Sequence, residues 1–299
     1  MTQPILLDGA MGQEIVSRGG GQGYGEWAVA ALYDNPRLVK AIHTDYIQAG
    51  ADVITTNNYS TTRTRLQYAG MVDQFETLVH TAGRLAVASR QEAATPDVRI
   101  AASLPPLENS YRTADFQLTF ETMVTQYREL INLLDPYVDL YLAETLSTTL
   151  EARAVLTAAA NRDKPVWLAW TLEDHGSSNL RSGEPLADAL PTLAPFDVDA
   201  VLVNCCTPNS VTAALSSLRA SDYTFGAFAN GFAEIPDDWN AQDGVAQLET
   251  RDDLSPTRYA DHAQQWLSAG ASIVGGCCEV GPAHIAQLRR VLDRKKSTL

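Results

Sequence analysis

The chain repeats one pattern eight times: a short apolar run, then a longer segment with helical periodicity. The runs are Ile5–Leu7, Asp52–Thr56, Arg99–Ala102, Asp139–Ala143, Val166–Trp170, Ala200–Val203, Thr224–Phe228 and Ser272–Val274. Between them, Leu38–Gln48 places Leu38, Ile42, Tyr46 and Ile47 on one helical face. Phe120–Leu134 and Pro208–Leu218 behave alike, and Pro256–Ala269 carries Tyr259, His262, Trp266 and Leu267 at helical spacing. Asn35-Pro36 and Ser255-Pro256 each put a capping side chain before a first-turn proline, which marks two helix starts. Strands alternating with helices imply parallel βα units. Runs apolar on both faces suit strands covered on both sides. Eight such units close a (β/α)8 TIM barrel, an α/β fold that 299 residues fill as a single domain, 1–299. A doubly wound sheet would want a glycine-rich phosphate loop after the first strand. Asp8-Gly9-Ala10-Met11-Gly12-Gln13 lacks that spacing, and no Walker-type loop occurs. The acidic stretch Ala233–Asp253 reads as a surface insertion.

Charge and cysteine usage narrow the function. The formal net charge of −14 disfavours nucleic acid and anionic membrane as partners and mildly favours cationic small molecules. The N-terminal residues lack a signal-peptide pattern, and no run approaches 18 apolar residues. The four cysteines sit as two adjacent pairs, which is no disulfide framework, so a reducing, cytoplasmic setting is expected.

In a barrel the active site forms at the C-terminal strand ends. There the chain places Asp8-Gly9 (strand one), Thr55-Thr56-Asn57-Asn58-Tyr59 (two), Glu144-Thr145 (four), Asn204-Cys205-Cys206 (six), Asn230-Gly231 (seven) and Gly275-Gly276-Cys277-Cys278-Glu279 (eight). All four cysteines therefore share one rim. Thiolates are zinc ligands, and no histidine lies at a predicted strand end to compete. A vicinal pair must leave the extended conformation to turn both sulfurs one way, and Gly275-Gly276 is expected to supply that freedom. Three ligands are expected rather than four, since two vicinal pairs rarely all reach one ion. An open fourth position marks a catalytic zinc. A trithiolate zinc activates water poorly but holds a substrate thiol as a nucleophilic thiolate, so alkyl transfer to a thiol is the expected reaction.

The chain resembles the homocysteine S-methyltransferase family, a zinc-dependent group of (β/α)8 barrels. The resemblance rests on Leu7-Asp8-Gly9-Ala10-Met11-Gly12, on His43 through Asn57, and on Glu144-Thr145, Val203-Asn204-Cys205 and Gly275-Gly276-Cys277-Cys278, in order and nearly end to end. It implies zinc ligands at Cys205, Cys277 and Cys278, with Cys206 a bystander. It implies that Asp8 and Glu144 hold the amino group of homocysteine. Gly9 is expected to offer its backbone to the carboxylate, and Asn204 to orient its neighbouring ligand. The implied donor is a cationic sulfonium or ammonium compound: S-methylmethionine, S-adenosylmethionine or a betaine. Trp27, Tyr111 and Trp170 are the aromatic candidates for binding it.

Two departures leave the donor open. Ser147 stands where many relatives carry proline, and Ala102-Ser103-Leu104-Pro105-Pro106-Leu107 replaces a Gly-Ser-x-Gly-Pro-Tyr loop. The rival readings are a zinc-thiolate alkyltransferase with another thiol acceptor and a non-catalytic zinc or redox-sensing barrel. A monomer is the expected state.

Overall fold

The computed structural model describes residues 3–20, 27–111, 113, 116–236, 239 and 248–296. Eight strands alternate with helices in chain order: β1 (Ile5–Leu6), α1 (Met11–Ser17), α2 (Trp27–Asp34), α3 (Pro36–Gln48), β2 (Val53–Thr55), α4 (Arg63–Tyr68), α5 (Phe75–Glu92), β3 (Arg99–Leu104), α6 (Phe120–Leu134), β4 (Leu140–Leu146), α7 (Thr149–Ala159), β5 (Val166–Trp170), α8 (Leu186–Ala189), β6 (Ala200–Asn204), α9 (Pro208–Ala220), β7 (Phe225–Phe228), α10 (Pro256–Ser268), β8 (Ile273–Val274) and α11 (Pro282–Lys296). Every expected strand is present to within a few residues. Asn35 and Ser255 cap α3 and α10 as the sequence predicts, accepting from Leu38 N and Arg258 N.

All strand pairs are parallel, running β1-β8-β7-β6-β5-β4-β3-β2. A single bridge, Leu7 to Val53, joins the outer members and closes the ring. Carboxylates extend that seam beyond the backbone. Asp52 Oδ2 accepts from Leu6 N at 2.8 Å below the bridge, and Asp8 Oδ2 accepts from Thr55 N at 2.7 Å above it.

The strand pleat sorts side chains into two layers. Leu140, Leu142, Trp167, Ala169, Ala200 and Leu202 form an interior core with Leu7, Val53, Phe228 and Ile273. Their alternates Tyr141, Ala143, Leu168, Trp170, Val201 and Val203 pack outward among the helices. Trp170 therefore lies in the outer layer, its Nε1 donating to Thr148 O, so it is no mouth aromatic. The side chain of Trp27 lies outside the described residues. The stretch Ala233–Asp253 is also not a plain surface insertion. Ile235, Trp239 and Leu248 are buried with Phe232 in a small apolar cluster packed against Tyr111 and Cys278; residues 237–238 and 240–247 lie outside the described part. Among the described residues no helix is long and apolar enough to cross a membrane.

Candidate metal and substrate site

At the mouth, strand ends six and eight bring Cys205, Cys277 and Cys278 together, with all three sulfurs within 4.8 Å of one another and Cys205 Sγ 3.7 Å from Cys278 Sγ. A tetrahedron with metal–sulfur bonds of about 2.3 Å has edges of about 3.8 Å, and the Cys205–Cys278 separation matches that edge, so the three sulfurs could hold one metal ion. Cys205 reaches it by adopting φ +49°, a left-handed conformation that breaks the strand alternation at the vicinal pair. Cys206 then points into the outer core, fully buried, and burial pushes its thiol up to about 12. Gly275-Gly276 serves a different purpose from the freedom expected of it, since neither glycine has positive φ. A Cβ on Gly276 would lie 2.0 Å from Val280 Cγ1, and one on Gly275 2.5 Å from Leu7 Cβ, so both are small to let the β8 turn press against its neighbours.

The sulfurs share protons. Burial would raise the Cys205 thiol, but hydrogen bonds from Cys277, Cys278 and Tyr111 outweigh it and hold Cys205 well below the ordinary thiol value. Cys277 and Cys278 are pushed well up, first of all by those same bonds to Cys205. One thiolate with two thiols beside it is a donor set that releases protons on taking up a cation. The Tyr111 hydroxyl lies 3.0 Å from Cys205 Sγ, so this aromatic does reach the site.

Two carboxyls lie across the mouth. Asp8 is buried and pushed up to about 7 by burial, against bonds from Thr55 N and Oγ1 at 2.7 and 3.1 Å. Glu144 is buried and raised to about 8, first by burial, with further pressure from the charges of Asp8 and Cys205, although Ser103 Oγ donates to it at 2.6 Å. Neither forms an ion pair among the described residues. Two acids in one dry, negative environment constitute a receptor for a cation.

Asn204 is tied elsewhere than to the cysteine beside it. Its Oδ1 accepts from Thr145 N at 2.9 Å and its Nδ2 donates to Thr145 Oγ1 at 2.8 Å. It thus braces the residue after Glu144, which holds φ +60° where the β4–β5 register shifts. Gly9 has a packing reason of its own: a Cβ there would lie 2.0 Å from Val280 O. Ser103 and Thr55 complete the acidic side. The strand-end rule, applied to strand three, finds Ser103, and applied to strand five it finds Asp174. No sequence signal pairs Thr55 with Asp8.

A family model described as homocysteine S-methyltransferase matches residues 5–292, nearly the whole chain. The chain belongs to the homocysteine S-methyltransferase family. The homocysteine S-methyltransferase of Escherichia coli strain K12 is 31% identical over 95% of this chain and 94% of that protein. A selenocysteine methyltransferase from Astragalus bisulcatus is 26% identical, covering 98% and 93%. The crystal structure of the metallated homocysteine methyltransferase MmuM from Escherichia coli superimposes with a TM-score of 0.80 at 28% identity, covering 97% of this chain and 96% of that one. As a member of this family the chain is a methyl-transferring enzyme. The sulfur cluster, together with a metallated relative of the same fold, assigns a metal to the family member described here.

Proposed function

We propose that the chain transfers a methyl group from a cationic donor to the sulfur of homocysteine, with zinc held by Cys205, Cys277 and Cys278. The observation that carries this reading is the three-sulfur cluster at the barrel mouth together with two buried, cation-seeking carboxyls. Bound zinc supplies a position for a substrate sulfur and lowers that thiol's pKa, so that thiolate persists at neutral pH.

The chain's own residues do the rest. Asp8 and Glu144 take the ammonium of homocysteine between them, and the positive charge offsets the cost of burying two acids. Ser103 and Thr55 aim those carboxyls, and Asn204 fixes the Glu144–Thr145 turn. The backbone beside Gly9 receives the carboxylate. The homocysteine sulfur attacks the methyl carbon in line. A carbon–sulfur bond forms there while the bond from carbon to the donor's sulfonium or ammonium atom breaks, and its electron pair stays on that atom, which becomes neutral. The thiol proton has already left to solvent, so no side chain need act as a base on sulfur. Phe232, Ile235, Trp239 and Leu248 cover the mouth beside Tyr111 and Cys278 and exclude water from a step that disperses charge.

The test is an assay of methionine formation by the purified enzyme with homocysteine and, in turn, S-methylmethionine, S-adenosylmethionine and betaine, alongside metal analysis. One zinc per chain and turnover with at least one donor are expected. No methionine from any donor with the metal in place overturns the reading. The likeness to a selenocysteine methyltransferase makes a selenol the second acceptor to try.

A further inference from the structure

Among the described residues, the mechanism above leaves unused a strongly basic side chain stacked on Tyr111, the tyrosine that touches the sulfur cluster. Arg181 lies in the loop after β5, and its side chain is only 7% exposed. Its Nη2 pairs with Asp174 Oδ2 at 2.7 Å, but Nε is buried with no partner. The guanidinium lies over the ring of Tyr111, 5.1 Å from the centroid, and the hydroxyl of that same ring is 3.0 Å from Cys205 Sγ. The arginine is thus one tyrosine's length from the sulfur cluster.

Asp174 holds it there. Asp174 Oδ1 accepts from Thr207 N at 3.0 Å and Oδ2 from Ile235 N at 2.9 Å, so one carboxylate ties together the loops after strands five, six and seven. With both Asp174 oxygens also bonded to backbone, the arginine keeps unspent donor capacity. A buried guanidinium with an unpartnered N–H is costly unless an anion comes to it, and its planar fork suits a carboxylate.

We propose that Arg181 binds the carboxylate of the methyl donor and so restricts the enzyme to donors that carry an acid group. A positive side chain beside a site for a cationic donor would otherwise repel its ligand, and a zwitterion resolves the conflict. The carboxylate of homocysteine is not the natural partner. In an α-amino acid the amine and the carboxylate share one carbon, so an amine held by Asp8 and Glu144 keeps its carboxylate beside them, whereas Arg181 lies over Tyr111, whose hydroxyl meets Cys205. The inference rests on the function proposed above.

S-Methylmethionine and (3-aminopropyl)dimethylsulfonium, which lacks only the carboxylate, are compared as donors with the zinc-loaded wild type, Arg181→Lys and Arg181→Met. In the wild type the acid-free donor should show a KM about 10- to 100-fold higher, the range expected for losing charge-assisted hydrogen bonds. Arg181→Met should raise the KM of S-methylmethionine by a similar factor and leave those of homocysteine and the acid-free donor unchanged. Arg181→Lys, which keeps the charge opposite Asp174, should fall between. Equal wild-type KM values for the two donors overturn the proposal, and so does a variant that weakens homocysteine instead, which would give the arginine to the acceptor's carboxylate. A wild type that makes no methionine from any donor overturns the functional reading instead, and calorimetric binding of the two sulfonium compounds to wild type and variants then still scores Arg181.

Discussion

Homocysteine binding should expel more protons than its thiol alone can supply, and Glu144→Gln should remove most of the surplus. In the free protein Glu144 titrates at about 8 and Asp8 at about 7, both because burial penalises their charged forms. An ammonium between them requires both to ionise. At pH 7 a group of pKa about 8 is about 90% protonated and one of pKa about 7 about half protonated, so they release roughly 0.9 and 0.5 proton on binding. The thiol adds about one more, since its free pKa is near 8.5. Ionising Glu144 costs about 1.4 kcal/mol at pH 7 and about 2.7 kcal/mol at pH 6, so Glu144 alone should lower affinity roughly tenfold per unit below pH 8, the thiol proton should contribute a further factor of about ten per unit, and Asp8 joins in below pH 7. Calorimetric titration of the zinc-loaded enzyme with homocysteine, in buffers of different ionisation enthalpy, counts these protons. The expected counts at pH 7 are about 2.4 for the wild type and about 1.5 for Glu144→Gln. Identical counts in the two proteins would show that Glu144 is already ionised or does not meet the ammonium, and the reasoning would fail.

The three sulfurs should be separable from the fourth: Cys277→Ala abolishes zinc retention and turnover, while Cys206→Ala keeps both, as metal analysis and the methionine assay report. Glu144 should also cost the free protein stability. Its folded pKa of about 8 lies above the ordinary 4.5, so the folded state holds the extra proton and stability falls as pH rises between those values. The gain in unfolding free energy from Glu144→Gln should therefore grow, by on the order of a few kcal/mol, between pH 5 and pH 9 in denaturant titrations of metal-free protein; a gain independent of pH would contradict the burial argument. Gly276→Ala should lose about 1–3 kcal/mol through overlap with Val280 and bind zinc more weakly, measured by thermal melts with and without metal. Unchanged melting would mean that the β8 turn yields freely.

The barrel was legible because its signal is local: apolar runs three to five residues long, separated by helical periods. The rim location of Asp8, Glu144, Cys205, Cys277 and Cys278 followed from strand ends alone. What escaped was direction. Trp170 lies at a strand end, yet strand alternation turns it outward, and a one-residue slip in register decides such a question. Asn204 sits beside Cys205 in sequence but is bonded to Thr145, 59 residues away. Cys205 reaches the cluster through a left-handed backbone at a residue other than glycine, while the glycines expected to provide flexibility instead provide space. Part of the stretch Ala233–Asp253 is acidic and polar in sequence, and only packing reveals that Ile235 and Trp239 turn inward against Tyr111 and Cys278.

The seam between β1 and β2 gives one residue a mechanical office. Seven strand pairs are ladders of two or more rungs, but the eighth contact is a single rung extended by two carboxylates, like a hoop laced shut. The upper lace is Asp8, the same side chain proposed to greet the substrate. Whatever neutralises or ionises Asp8 at the mouth therefore tightens or slackens the hoop, and the amide of Thr55 is the place where that tension is felt. Occupancy of the site becomes a property of the whole ring, legible in how slowly one backbone proton trades with water.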